Sequence, residues 1–383
     1  MCDILKHTTM KTGDKTMKKI HRTLSLFTVA AMCAALLCSC GAVSDSSQTD
    51  SSSKADTTTT ADTTADTTTT GEASSTASAT SAPDSSVSDS SSAVTDDTKT
   101  NGITPAMWKV TSPEGNTMVM LGSFHALKDE CYPLPEAVTN AYNNADILAV
   151  ECDITSTSED GEYMKNLMKQ MLYNDNTKLS QHISEEAYSA LQTYLGYWGM
   201  DISALEVYRP WAVSSTLDTL LIQDSGFDSE KGLDNYLLTT AHADGKEIYE
   251  VESVDFQMNL LINFSDDIYD LMFRSYEGET KESQKQALED LYTAWKSGDI
   301  ETFLEEDNEE ELAGYTEEDK KIAEDYNNQM LYDRNKNMAK AAEDLMSQGK
   351  NVFYVVGAAH YAGEGGIIDL LEKDGYTAER VQY

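Results

Sequence analysis

A mixed α/β (α+β) domain is what this sequence predicts, with a β-sheet core built from N- and C-terminal strands around a large helical insertion. Three observations lead there. Short apolar runs bounded by turn residues stand near both ends of the folded part, at 107–150 and at 352–382. Between them, residues 256–350 carry apolar side chains at helical spacing with acidic outer faces. Two of the apolar runs end in the same Gly-x-x-His, which is compatible with two duplicated halves.

Taken in order, Met107–Val110 and Met118–Leu121 read as a hairpin across Ser-Pro-Glu-Gly-Asn. Ala137–Asn144 reads as a helix leading into the apolar strand Ile147–Val150. Helices follow at Glu162–Tyr173, Ser184–Tyr197, Arg209–Ile222 and Gly232–Ala243, the last stopping at the turn signal Asp244-Gly245. Glu247–Val251 is expected as a strand. After the helical block come strand Val352–Val356, helix Gly365–Lys373 and a last strand near Arg380–Gln382. Strands at both ends with helices between them define the class.

Ahead of this domain the chain has a different character. Lys15, Lys18, Lys19 and Arg22 precede an apolar run, Leu24–Leu37, of signal-peptide length and too short to span a bilayer. It ends in Leu37-Cys38-Ser39-Cys40-Gly41, which resembles a lipobox with Cys40 as the lipidated residue; Cys38 fits less well behind bulky Leu37. The basic region begins late, so Met17 is an alternative start. The expectation is a signal over 1–40, a membrane-anchored protein outside the cell membrane, and no attachment beyond the lipid. Residues 41–100 are nearly all Ser, Thr, Asp and Ala, with Ala-Asp-Thr-Thr at 61–64 and 65–68. Such a composition cannot offset the entropy of ordering, so a disordered spacer is expected, spanning on the order of 40 Å.

Charge separates the parts. Residues 1–40 carry +4 and 41–100 carry −8, which leaves −34 of the net −38 on 101–383. A domain this acidic repels nucleic acid and anionic head groups, and a nucleic-acid function is excluded on that ground. Of six cysteines only Cys131 and Cys152 fall in the domain, in neither Cys-x-x-Cys nor Cys-His spacing. The balance is against a bridge between them.

The domain holds four histidines, His125, His182, His242 and His360. Val119-Met120-Leu121-Gly122-Ser123-Phe124-His125 and Tyr354-Val355-Val356-Gly357-Ala358-Ala359-His360 share one frame, an apolar strand followed by Gly-x-x-His. Glycine lets the chain turn sharply, and the imidazole three places on is presented at the strand's carboxyl end, where open sheets place ligands. Imidazole is both a first-row metal ligand and a general base near neutral pH. A lone histidine after a strand is more often structural; two in matching frames bring the functional reading level with it. His182 and His242, in helical contexts without a partner pattern, are read as surface residues. Glu151 directly follows Ile147–Val150, and Glu252 ends the other run; strand alternation places Asp153 on the face of Glu151 and Glu250 on that of Glu252. Among 54 acids most are merely solvated, but Glu151 and Glu252 adjoin buried apolar runs where an unpaired charge is costly.

From about Thr104 to Val381 the sequence resembles the TraB/GumN family, related to the Tiki-type metalloproteases and the erythromycin esterases. Gly122–His125 is similar to the family's first motif and Asp146–Asp153 to its glutamate strand. Gly232-Leu233-Asp234, Gly245-Lys246 and Val251-Glu252-Ser253 with Gln257 resemble the central block. Asp333–Ala339 resembles the stretch before the second histidine, and Gly357–His360 with Gly363, Gly366 and Gly375-Tyr376 the C-terminal signature. Ala359 and Tyr361 stand where glycine and leucine are more usual, and neither change removes a functional group.

The resemblance implies a metal-dependent hydrolase, protease-like, acting on peptides or secreted proteins. His125 and His360 would be metal ligands or bases, Glu151 a third ligand or the general base, and Glu252 a supporting carboxylate. Arg334 would meet an oxyanion and Asn335 would orient water or substrate. Manganese, cobalt and zinc all accept this ligand mixture. A non-catalytic peptide- or pheromone-binding lipoprotein and an esterase remain alternatives. The helical block is expected to form much of the substrate wall.

Overall fold

The structure, a computed structural model, describes residues 102–158, 160–304 and 315–383. The expected signal, Cys40 and the 41–100 spacer lie outside the described residues.

β1 (Met107–Thr111) and β2 (Thr117–Ser123) form the expected hairpin, in register from Met107↔Leu121 to Thr111↔Thr117. Helix α1 (Glu136–Asn144) leads into β3 (Ile147–Val150), whose four residues are all buried. α2 (Gly161–Gln170), α3 (Glu185–Gly196), α4 (Pro210–Asp224) and α5 (Leu233–Asp244) follow, close to the expected bounds. Their starts are dictated locally: Asp160 and Ser184 accept from first-turn N–H groups of α2 and α3, and Pro210 opens α4. α5 ends on Gly245 in the left-handed conformation that glycine adopts without strain.

After β4 (Glu247–Glu250), the helical block comprises, among the described residues, α6 (Val254–Ile262), α7 (Asp266–Arg274), α8 (Lys281–Ser297), α9 (Glu317–Asn327) and α10 (Asp333–Met346). A π-helical segment, Asn328–Tyr332, joins the last two. Then come β5 (Val352–Gly357), α11 (Ile367–Lys373) and β6 (Thr377–Arg380).

The six strands form one sheet in the order β4-β3-β5-β2-β1-β6. β2, β5, β3 and β4 run parallel, whereas β1 is antiparallel to both of its neighbours. The class is the expected one, mixed α/β and mostly helical, but two details differ. The last strand starts three residues earlier than expected, because the turn at Gly375 delivers Thr377 opposite Thr111. It is a largely exposed edge strand, so no apolar run marks it. The strands carrying the two motifs share an ending but not a preceding unit: β2 is entered from a hairpin and β5 from α10. Cys131 and Cys152 are both buried and are not joined by a disulfide. No helix among the described residues is long and apolar enough to cross a membrane.

Candidate functional site

Strand order brings together what the sequence holds 235 positions apart. β5 lies between β2 and β3, parallel to both, with Gly122 beside Val356 and Ser123 beside Gly357. The two Gly-x-x-His turns therefore leave the same sheet edge side by side, with Glu151 leaving the next strand along. The β3–β4 ladder continues past the regular strands: Val251 N–H donates to Val150 O at 2.9 Å and Glu252 N–H to Glu151 O at 2.7 Å. His125, His360, Glu151 and Glu252 thus share the carboxyl edge, where parallel sheets bind ligands.

Each imidazole is aimed by a partner behind it. Phe124, just before His125, sits among Phe227, Tyr292, Trp295 and Phe303 with ring centroids 5.9–6.4 Å away. The start of α5 docks on this turn, Leu233 N–H donating to Phe124 O at 3.0 Å. Only glycine fits at 232, since a Cβ there would fall 2.0 Å from the His125 carbonyl oxygen. Asp234 then accepts from His125 Nδ1 at 2.8 Å and from Ser123 Oγ at 2.7 Å. On the other side, Asn335 Oδ1 lies 2.6 Å from His360 Nδ1 while its Nδ2 donates to Gly365 O at 2.9 Å. With the amide nitrogen committed to a carbonyl, Oδ1 is the acceptor and His360 Nδ1 carries the proton. The Nε2 atom of each ring is left facing the same space.

Gly357 lies under that space. A methyl group on it would come within 3.1 Å of Glu151 Oε1, 3.5 Å of His125 Nε2 and 3.6 Å of His360 Cδ2. Glu151 Oε1 accepts from Gly357 N–H at 2.7 Å and lies 3.8 Å from His360 Nε2. Its Oε2 accepts from Arg334 Nη2 at 2.7 Å and from Gln257 Nε2 at 2.9 Å. Arg334 also donates to Glu252 from Nε and Nη2, at 2.8–3.2 Å, and to Met330 O from Nη1 at 3.0 Å. Gln257 bridges to Glu252 at 2.7 Å and accepts from Cys152 Sγ at 3.3 Å. Glu151, Arg334 and Asn335 are buried, and the side chain of Glu252 is 5% exposed.

These contacts set the ionisation states. Burial alone would raise the Glu151 carboxyl; Arg334 first, then His360 and His125, hold it well below the usual carboxylate range. Burial opposes charge on His125, yet the Asp234 carboxylate outweighs it and pushes the ring up to about 9. Burial and the Arg334 charge push His360 down to about 3, so its Nε2 carries a lone pair at neutral pH. Glu151 and Glu252 share the one Arg334 guanidinium, and Asp234 pairs with His125.

Among the described residues no three His, Cys, Asp or Glu side chains are already gathered as a metal cage. The donor chemistry fits a divalent cation nonetheless. Two imidazoles are oriented by Nδ1 donation to an acceptor behind them, as in metal-ligating histidines, and a carboxylate oxygen of Glu151 lies beside them.

The sequence-predicted residues meet, but in other relations than expected. Asn335 orients His360 from behind. Arg334, expected to meet an oxyanion, has its Nε and Nη2 donors on two carboxylates. Asp153 turns away from Glu151 because the strand ends at Val150: it caps Thr155 and accepts from His242 Nε2 at 2.7 Å, and Glu250 accepts from the Asp153 N–H. His242 is exposed, as read, though paired. His182 is neither helical nor free: it follows a 3₁₀ turn, is half-buried on the Tyr173 ring at 4.3 Å, and bonds Asp266 and Thr177. Asp234 and Gln257 stood in the stretches that resemble the family's central block but received no role from sequence.

A polar sheet edge with paired, oriented histidines and a pinned glutamate is the candidate functional site. The family model of the TraB/PrgY/gumN family matches residues 106–380, and the chain belongs to that family. Over 157 residues it is 26% identical to the uncharacterized protein YbaP of Escherichia coli (strain K12), covering 41% of this chain and 56% of that protein. Over 293 residues it is 25% identical to the Metalloprotease TIKI homolog of Nematostella vectensis, covering 65% of this chain and 61% of that one. Metalloprotease TIKI1 of Xenopus tropicalis is 23% identical over 289 residues, 63% of this chain and 55% of that protein. The chain thus spans less than two thirds of the length of these relatives. No solved structure matches it.

Proposed function

We propose that this protein is a metal-dependent hydrolase that cleaves amide bonds in peptides or secreted proteins. One observation carries the reading: His125 Nε2, His360 Cδ2 and Glu151 Oε1 converge over Gly357, within 3.6 Å of where a Cβ would stand, and His360 Nε2 lies 3.8 Å from Glu151 Oε1. The names of the distant TIKI relatives favour the same chemistry. His125, His360 and Glu151 would hold the cation, manganese, cobalt or zinc. When bound, such an ion polarises a scissile carbonyl and makes water nucleophilic near neutral pH.

The chain's own residues do the rest. Asp234 and Asn335 fix the rotation and tautomer of the two imidazoles. Arg334 and Gln257 pin Glu151 and keep it ionised, and Glu252 balances the guanidinium. Arg334 is therefore a positioning residue in this scheme. Gly357 keeps the floor open so that a substrate carbonyl can approach.

The address is proposed from sequence alone. Lipidation at Cys40 would hold the domain outside the membrane on the 41–100 spacer, within reach of extracellular substrates.

The test uses the full chain and its His125→Ala and His360→Ala variants. Elemental analysis and mass spectrometry of incubated peptides should show that either substitution abolishes both metal uptake and cleavage, with an unchanged circular dichroism spectrum. Full activity in either variant would sink the reading. Peptides held intact by a metal-free protein would favour capture without cleavage.

A further inference from the structure

The polar edge opens into a cavity of about 130 Å³ that also borders His125, Glu151, Arg334 and His360. Its far wall is apolar. Leu260 and Leu261 come from α6, Leu288 and Leu291 from α8, and Met330 and Leu331 from the π-helical segment before Arg334. Three separate helical segments each contribute a pair, and none of the six side chains carries a polar hydrogen-bonding group. Met330 and Leu331 of the π-helical segment both line the cavity, while Arg334 and Asn335 from the following helix reach the sheet edge.

A bland alternative is that this wall is simply core. Protein cores close-pack and leave few voids larger than a water molecule. A space of this size, apolar on one side and bounded on the other by the paired histidines, is instead the form of a ligand pocket. Its volume says what fits. Apolar cavities of about 150 Å³ accept a benzene ring, so a cavity of about 130 Å³, polar edge included, holds at most one aromatic ring or branched aliphatic chain and not a fatty acyl chain.

We propose that this cavity is a specificity pocket for a single bulky apolar side chain, leucine to phenylalanine in size, next to the bond presented to His125 and His360. The proposal rests on the hydrolase reading above and adds a substrate class to it: peptides with such a residue flanking the cleaved bond. The polar edge selects the amide and the leucine wall selects its neighbour.

The experiment separates the two readings. Blocked heptapeptides on a Gly/Ser/Ala background carry Ala, Leu, Phe or Nε-lauroyl-lysine at one scanned position. Cleavage by the metal-loaded full chain is followed by mass spectrometry, and binding of the same peptides to the His360→Ala chain by fluorescence polarisation. At one position, Leu and Phe peptides should exceed the Ala peptide roughly 10- to 100-fold in both kcat/KM and affinity, as for several methylenes buried in a pocket, and the lauroyl peptide should gain nothing. Leu291→Trp, which fills the pocket, should lower the Phe-to-Ala ratio about tenfold. If that variant misfolds, Met330→Ala serves instead and should shift the preference from Phe toward Trp. Equal cleavage of Ala and Phe peptides at every position, or a preference for the lauroyl chain, overturns the pocket and leaves the hydrolase standing. No cleavage of any peptide but tighter binding of Phe than Ala overturns the hydrolase and supports the pocket. Neither cleavage nor side-chain-dependent binding overturns both.

Discussion

Replacing Arg334 by methionine should cost this fold more than any other single change at the sheet edge. Methionine keeps the apolar stem but removes every donor, leaving Glu151 and Glu252 with Gln257 and the Gly357 N–H as their remaining partners in this cluster. Removing one partner of a buried ion pair costs about 3–5 kcal/mol, because the other charge stays behind uncompensated. At roughly 2–4 °C per kcal/mol for a domain of this size, melting should fall by about 10 °C. The loss should depend on pH. In the wild type the folded-state pKa of Glu151 is depressed, so its stabilising contribution is present above the ordinary carboxylate pKa and fades as pH falls through the folded value. Without Arg334, burial dominates and raises the folded pKa above the unfolded one. The variant's penalty is then full at pH 8 and is relieved as the carboxyl takes up a proton. Guanidinium unfolding of the metal-stripped chains at pH 8 and pH 5 should show the gap narrowing. Adding Glu151→Gln to Arg334→Met should recover part of the loss at pH 8. A gap below 1 kcal/mol, or one identical at both pH values and insensitive to Glu151→Gln, would refute the reasoning.

Other perturbations probe the same edge. Gly357→Ala puts a methyl 3.1 Å from Glu151 Oε1; metal uptake and cleavage should be lost at little cost in Tm, and an active alanine variant would show that the reacting groups do not meet over this residue. Asp234→Asn should lower metal affinity or activity about 10- to 100-fold while the fold persists, as for other partners that orient a ligating histidine, measured by competition with a chromogenic chelator. The two histidines should give the stability of the metal-stripped protein opposite pH limbs. His125, raised to about 9, contributes stability that is full below the ordinary histidine pKa and lost as pH rises through about 9. His360, lowered to about 3, contributes stability that is present above the ordinary value and lost as pH falls toward 3. His125→Asn should flatten the alkaline limb and His360→Asn the acid one in Tm-versus-pH profiles.

Much of this molecule was legible in its residues. Short runs of four or five residues marked the strands, helical spacing and the Asp244-Gly245 stop marked the helices, and the repeated Gly-x-x-His singled out His125 and His360, because each of these signals is local in sequence. The edge strand β6 was misplaced for the same reason: Thr377–Arg380 buries too little to carry an apolar pattern.

What the tertiary structure decided is partnership. Nothing in the spacing of β2, β3 and β5 says that β5 inserts between the other two, yet that order alone sets His125, Glu151 and His360 around Gly357. Nor does the sequence say that Arg334 spends its donors on Glu151 and Glu252, that Asn335 backs His360, or that Asp234 backs His125. A carboxylate, an amide and a guanidinium each have many chemically acceptable partners, and an acidic chain offers them everywhere. Residue type therefore determined what chemistry was available here; packing chose among equivalent partners, because only burial makes one hydrogen bond worth more than its competitors.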